Sequence, residues 1–557
     1  MSAGAFDAPA AAVQPRLTAA HRRVIVGAAL GSVFEWYDFF LYGALAAIIA
    51  AQFFAKADPA TGLIFALLAF SAGFIVRPLG AVVFGHVGDK VGRKYTFLAT
   101  ILLMGFATFA VGLLPGYDSI GVAAPVILVA LRLVQGLATG GEYGGANIYV
   151  AEHAPPGRRG LATSWIQVTG TLGFVLSLLV ILGTRTALGE PTFAAWGWRV
   201  PFLLSILLLA LSLWIRLSMA ESPVFQEMKA ERRESGSPLA ETFGQWRHAK
   251  IALQALFGLV AGFGVIWYTT QFYVLLFLTQ TLKVDPVTAN VLVVLGIVLA
   301  SPFFVAFGAL SDHIGRKWMV LAGILAAALS LFPIFSALTH FANPALEQAL
   351  QQAPVVVRAD PADCQFQFNP TGTKVFTSSC DLAKARLVAA SVNYRNEAAA
   401  SGAVAEVRIG DTVISSFSRA GLSAADAAAK TAAFNAAVSA GIAAAGYPAK
   451  ADPAAINRPA VVGLIFLLVF LLALAYGPVA ALLIELFPAR IRYAGMSVPY
   501  HLGTGWFGGL TPAIAFALVA WQGDIYFGLW FPAAVAVATV AIGVFAIPDR
   551  RDVDLSL

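Results

Sequence analysis

The sequence predicts an all-α membrane protein: 12 transmembrane helices in two pseudo-symmetric six-helix halves, with a small α+β module inserted between the ninth and tenth. Three observations predict it. Of 557 residues, 59% are hydrophobic and only 12% charged, where a soluble chain carries about a quarter charged. The apolar residues fall in blocks near the ~20 residues that a membrane-crossing helix needs. Two loop sequences from the first part of the chain recur, in order, in the second.

Residues 1–23 form an Ala-rich tail ending in His21-Arg22-Arg23. The apolar run that follows is too long for a signal-peptide core, and no small-residue cleavage site precedes a soluble domain. Val24 therefore opens a retained first span. The first half, 24–218, holds spans near 24–54, 61–86, 95–115, 122–150, 161–184 and 199–218. A polar loop, 219–250, separates it from spans near 251–280, 287–310 and 318–339. The inserted module is 340–459, spans near 460–486, 494–521 and 524–547 fill 460–548, and a tail runs over 549–557.

Alternate loops carry the basic residues: Arg22/Arg23, Lys90/Arg93/Lys94, Arg158/Arg159, Arg316/Lys317, Arg490/Arg492 and Arg550/Arg551. The positive-inside rule places both termini in the cytoplasm and the module in the periplasm. The net charge of +6 sits in these short loops, so it does not indicate a nucleic-acid partner.

Gly85-His-Val-Gly-Asp89-Lys-Val-Gly92-Arg93-Lys94 recurs as Gly308-Ala-Leu-Ser-Asp312-His-Ile-Gly-Arg316-Lys317, an offset of 223 residues. Glu152-His-Ala-Pro-Pro-Gly-Arg158-Arg159 recurs as Glu485-Leu-Phe-Pro-Ala-Arg490-Ile-Arg492, and matching Arg158 to Arg490 gives an offset of 332. The difference, 109 residues, is an insertion between the two marks, and only the stretch near 340–459 is long and polar enough to supply it. Halves related in this way suit alternating access around a site at their interface.

These two loops, with Arg132-Leu-Val-Gln-Gly-Leu-Ala-Thr-Gly140, resemble the signature motifs of the major facilitator superfamily. Phe34–Gly43, Gly140–Gly144, Glu221–Phe225 and Glu485–Gly495 resemble its metabolite:proton symporter subfamily. The resemblance covers both membrane halves and stops at the module, where the family usually has a short loop. It implies secondary active transport of carboxylates, aromatic acids or zwitterionic osmolytes across a bacterial inner membrane.

The loop residues Gly85, Asp89, Gly92, Arg93, Lys94, Asp312, Arg316 and Lys317 read as a gate. Topology needs Lys and Arg but not Asp. Asp89 is expected at the start of the eleventh helix, near Tyr493 and Ala494, and Asp312 at the start of the fifth, near Leu161, where a helix dipole favours an anion.

Charges inside spans cost ~2.5–3.5 kcal/mol each at a helix centre, so each needs a partner or a cavity. The first half holds Glu35, Asp38, Arg77, Arg132 and Glu142 within its spans, whereas their repeat counterparts in the second half are uncharged. The shared scaffold therefore does not demand them. Asp38 and Glu35 are candidates for proton coupling, Glu142 either for that role or for a pair with Arg93. Arg77 and Arg132 can grip a carboxylate through two parallel hydrogen bonds, and Arg132 serves equally as part of the proton path. Glu35 and Asp38 could instead simply pair with Arg77. The second half offers Trp267, Tyr268, Gln271, Tyr476, Tyr500 and His501 as polar-tipped ligand contacts.

Cys364 and Cys380, the chain's two cysteines, share the oxidising side and are expected to form a disulfide. A hairpin is expected between them around Asn369-Pro-Thr-Gly-Thr, then helices near 381–392 and 423–445, with strands at 406–409 and 410–414 between. No metal cluster or nucleotide loop occurs in the sequence, so no cofactor is expected; the proton is taken as the coupling ion, with sodium left open, and the carrier as a monomer. The leading expectation is symport of a small anionic organic acid. The alternative is a zwitterionic osmolyte such as proline or betaine, against which stands the short tail after Arg551, since osmosensing relatives extend into a coiled coil. A receptor that senses through the module is the third reading.

Overall fold

The computed structural model describes residues 18–54, 59–217, 238–365, 377–390 and 392–549, with 226–227, 230–231 and 553. The apolar runs become helices because a chain in lipid must satisfy its own backbone groups. In order these are α1 (Ala19–Ala44), α2 (Pro59–Lys90), α3 (Arg93–Leu113), α4 (Ala123–His153), α5 (Arg159–Leu188) and α6 (Arg199–Leu217). After the central loop come α7 (Trp246–Thr281), α8 (Pro286–Ile314) and α9 (Lys317–Ala342). Ten helices among the described residues are long and apolar enough to cross a membrane, or eleven if one bent pair is a single span. Large apolar side chains such as Phe106, Leu207, Leu329 and Phe545 point outward, as a lipid-facing surface requires.

Three spans differ from the sequence expectation. The first starts before Val24, because Thr18 caps α1: its hydroxyl accepts from the His21 backbone and the His21 ring accepts from Thr18 N. It also breaks at Leu45, and a short helix, Ala46–Phe53, completes it. The sixth is entered through a bend of 60° between Glu190–Gly197 and Arg199–Ile215. In α7 the helical ladder widens at Leu256–Val260, Thr269–Tyr273 and Phe277–Thr281. Such widenings often mark functional sites.

The insertion is an α+β unit. Strand β1 (Val355–Ala359) leads to α10 (Ser379–Ala389) and then β2 (Tyr394–Ala398), β3 (Glu406–Ile409), β4 (Thr412–Ser415) and α11 (Ala424–Ala444). The sheet order is β2-β1-β3-β4, with β1 and β2 parallel and the other pairs antiparallel. Val355, Val357, Leu387, Val407, Ile409, Phe434 and Val438 are its buried core. The sequence reading located β3, β4 and both helices but missed β1 and β2. Of β2 only Tyr394 is buried, so it carries no alternating apolar signal. Cys364 and Cys380 are joined in a disulfide. The hairpin expected between them, around Asn369, lies outside the described residues.

The chain then re-enters the bundle through α12 (Arg458–Leu486), α13 (Ala489–Val519) and α14 (Phe527–Ala546). The module is fastened to this second half. Tyr394 N donates to Gly523 O at 2.7 Å, Ile525 N to Asn393 Oδ1 at 2.9 Å, and Lys283 Nζ to Ala389 O at 2.8 Å. All three bonds fall on the bundle face opposite the one where α1 begins and α14 ends.

Candidate functional site

The halves meet along α1, α2, α4 and α5 on one side and α7, α8, α12 and α13 on the other. At the end where α1 begins, ion pairs and backbone contacts close the seam. Asp312 accepts from Gly160 N at 2.8 Å and Leu161 N at 2.9 Å, capping α5 where the sequence reading placed it. Arg316 bridges Asp312 at 2.9 Å and Glu485 at 2.8 Å, and Arg159 reaches Glu485 at 3.5 Å. Arg492 pairs with Glu152 across the halves at 3.1 Å. Gly85 and Gly88 of α2 let Ala494 and Tyr493 approach, and Tyr493 OH donates to Gly141 O. Lys94 and Lys317 bind the backbone carbonyls of Leu217 and Val544. Gly92 holds a positive φ of 124° at the turn before α3. The side chains of Asp89 and Arg93 lie outside the described residues, and with them the alternative Glu142–Arg93 pair. Glu152, Arg159, Glu485 and Arg492 were visible in the repeat but were read only as loop markers.

Farther in, the seam is aromatic. Trp267 of α7 stacks on Phe40 at 5.5 Å and sits 6.3 Å from Trp36. Arg77 enters from α2, fully buried. Its guanidinium lies 4.1 Å from the Phe39 ring centre and 4.5 Å from that of Phe74, and its Nη1 is 3.5 Å from Tyr268 OH. Aromatic faces attract that cation, yet its Nε and Nη2 make no hydrogen bond among the described residues. The same holds for Trp267 Nε1, Gln271 Oε1 and both ring nitrogens of His501, all buried. Gln271 Nε2 donates to Thr171 at 2.7 Å, joining the halves. Tyr476 OH lies 2.8 Å from Tyr500 OH, and the Tyr500 ring stacks on Tyr143 at 3.5 Å. Tyr143 donates to Gln167 at 2.8 Å.

The carboxylates gather in the first half. Glu35 and Glu142 line one small cavity with Ser32, Trp36, Thr139, Tyr143 and Ile166. Asp38 lies on the same side of α1, within electrostatic reach of Glu142 and hydrogen-bond reach of Thr108, and its Oδ1 has no partner among the described residues. Arg132, like Arg77, approaches the Phe39 ring. Its guanidinium is 5.0 Å from that ring and 4.5 Å from Tyr42, and it donates to Gln135 at 2.6 Å. The contacts to Phe39, Tyr42 and Gln135 are all first-half. The sequence reading missed Trp36 and Tyr143 as site walls, because aromatic residues in a span also read as packing.

Comparison with known proteins fixes the family. The profile of the family described as "Sugar (and other) transporter" matches residues 24–257. A putative proline/betaine transporter of Staphylococcus aureus (strain COL) is 37% identical over 318 residues, 57% of this chain and 67% of that protein. The chain belongs to the major facilitator superfamily, in its metabolite:proton symporter subfamily. Other members similar to it include the glycine betaine/proline/ectoine/pipecolic acid transporter OusA of Dickeya dadantii (strain 3937), 37% identical over 321 residues. The proline/betaine transporter of Escherichia coli (strain K12) is 36% identical over 326 residues. Each of those two matches covers 56% of this chain and 64% of the relative's own length. The fold is also that of the proton:xylose symporter XylE bound to 6-bromo-6-deoxy-D-glucose, with a TM-score of 0.63 at 16% identity over 97% of this chain and 98% of that one. The substrates for which the three relatives are named are zwitterions. They do not support the anionic organic acid that the sequence reading put first.

Proposed function

We propose that this major facilitator protein carries a small zwitterionic osmolyte of the proline or betaine type together with protons, by alternating access. In this reading twelve spans cross a bacterial inner membrane, both termini are cytoplasmic and the module is periplasmic. The observation that carries it is the pairing of unlike charge at the seam. Nε and Nη2 of Arg77, Trp267 Nε1 and the ring nitrogens of His501 are buried with no hydrogen-bond partner among the described residues, near a cavity walled by Glu35 and Glu142. An organic anion would use only the first of these, whereas a zwitterion uses both.

Asp38 serves the proton, with Glu35 and Glu142 as the alternative carriers should it not, and Arg132 is a positioning cation beside Phe39. Burial in a low-dielectric span favours the neutral form of a carboxyl group. The Asp312–Arg316–Glu485 and Glu152–Arg492 pairs serve as the cytoplasmic gate, which must part for release inside.

A thermal-shift screen of the purified chain tests the substrate class. A ligand at 100 times its Kd should stabilise the fold by about 2.7 kcal/mol. Glycine betaine, proline or ectoine should raise Tm, while citrate, succinate and benzoate should not. Stabilisation by the acids alone would overturn this reading.

A further inference from the structure

A cluster of buried donors and a small acidic cavity meet at the indole of Trp36. In the cluster lies Arg77, its guanidinium carbon 5.7 Å from the Trp36 ring centre. Beside it are Trp267, 6.3 Å from Trp36, and His501, edge-on to Tyr500 at 5.1 Å. Their hydrogen-bonding nitrogens are buried and unpartnered among the described residues, as are Nε and Nη2 of Arg77. Trp36 also lines the cavity of Glu35 and Glu142, whose remaining aromatic wall is Tyr143. Tyr143 stacks on Tyr500 at 3.5 Å, which closes the circuit back to His501. Donors without acceptors among the described residues and acidic side chains thus both adjoin Trp36.

We propose that the donor cluster and the acidic cavity bind the two ends of one zwitterion in a fixed orientation. Its carboxylate lies on Arg77, helped by Trp267 Nε1 and His501. Its cationic head lies against Trp36 and Tyr143, with Glu35 and Glu142 as counter-charge. The assignment rests on the zwitterionic reading above and adds which end goes where. A guanidinium offers a carboxylate two parallel N–H bonds. An indole face is the best aromatic partner for an ammonium group. A ligand lacking the carboxylate leaves Nε and Nη2 of Arg77 without acceptors, and one lacking the cation forgoes the attraction of the two glutamates, so selectivity comes from the unmet end. The acidic cavity as it stands has room for about one water, roughly 20 Å³. Trp36 is only partly buried, and it is the side chain that must shift to admit the head.

The test is binding to the full-length purified chain by calorimetry, with three probes. Glycine betaine carries both charges, 3,3-dimethylbutyrate is its isostere without the cation, and choline keeps the cation without the carboxylate. Wild-type protein should bind betaine at least about ten-fold more tightly than either analogue, equal to about 1.4 kcal/mol. Arg77→Gln should cost betaine and dimethylbutyrate about ten-fold or more and leave choline unchanged. Glu35→Gln combined with Glu142→Gln should do the converse, weakening betaine and choline while sparing dimethylbutyrate. The wild-type series needs no variant to fold, and Arg77→Lys, which keeps the charge but not the fork, should give an intermediate loss. Betaine binding with equal losses for all probes in both variants would overturn the orientation alone. No binding of betaine or proline to the wild-type chain would overturn the zwitterionic reading and the orientation with it.

Discussion

Asp38 carries the coupling argument at the scale of single residues. It is buried, its Oδ1 lacks a partner among the described residues, and its repeat counterpart is Thr269. Asp38→Asn keeps the shape and removes the titratable proton. It should abolish uphill, pH-driven uptake while leaving substrate exchange, with Tm nearly unchanged. Normal accumulation against a gradient would move the proton to Glu35 or Glu142. The cysteines give a second prediction at this scale. Peptide mapping of the unreduced protein should recover a Cys364–Cys380 linked pair, and two freely alkylated thiols would contradict it. The charged members of the site were legible in the sequence, because an ionised group in an apolar run is conspicuous. Trp36 and Tyr143 were not, because their function lies in which neighbours they face, and a lone chain does not record that.

Among the elements, the contact of α2 with α4 depends on missing side chains. A Cβ at Gly136 would overlap the carbonyl of Gly73, one at Gly140 that of Arg77, and one at Gly80 that of Leu137. Small residues at such crossings let helix backbones touch. This contact also fixes where Arg77 leaves its helix. Gly140→Ala should therefore cost about 1–3 kcal/mol by overpacking and weaken betaine binding through displaced Arg77, both readable from one ligand-dependent melting series. An unchanged Tm would mean the helices part freely there. The helices themselves were legible from apolar length, but the break at Leu45 and the wide turns of α7 were not. A run of apolar residues specifies burial and length, and it is indifferent to a one-residue change in the hydrogen-bond ladder. The polar strand β2 escaped for the opposite reason, since its register comes from β1 and from Gly523 rather than from its own pattern.

For the whole molecule, the repeat offsets located an insertion that the structure then folds as one unit fixed to the turn after α13 and the loop after α7. The module therefore belongs to the second half. A cysteine placed at exposed Ser401, in a chain otherwise free of cysteine, should react with an impermeant maleimide in intact spheroplasts. Protection there, with labelling only in inverted vesicles, would refute the periplasmic placement. In the proposed function both halves, the gate and the carboxylates combine in one process, the coupled movement of a zwitterion and protons. Its most direct measurement is uptake of radiolabelled glycine betaine by proteoliposomes holding the purified chain. Under an inward proton gradient the label should accumulate above its external concentration, and a protonophore should abolish the excess. Uptake that only equilibrates, or that is unaffected by the gradient, would contradict the account.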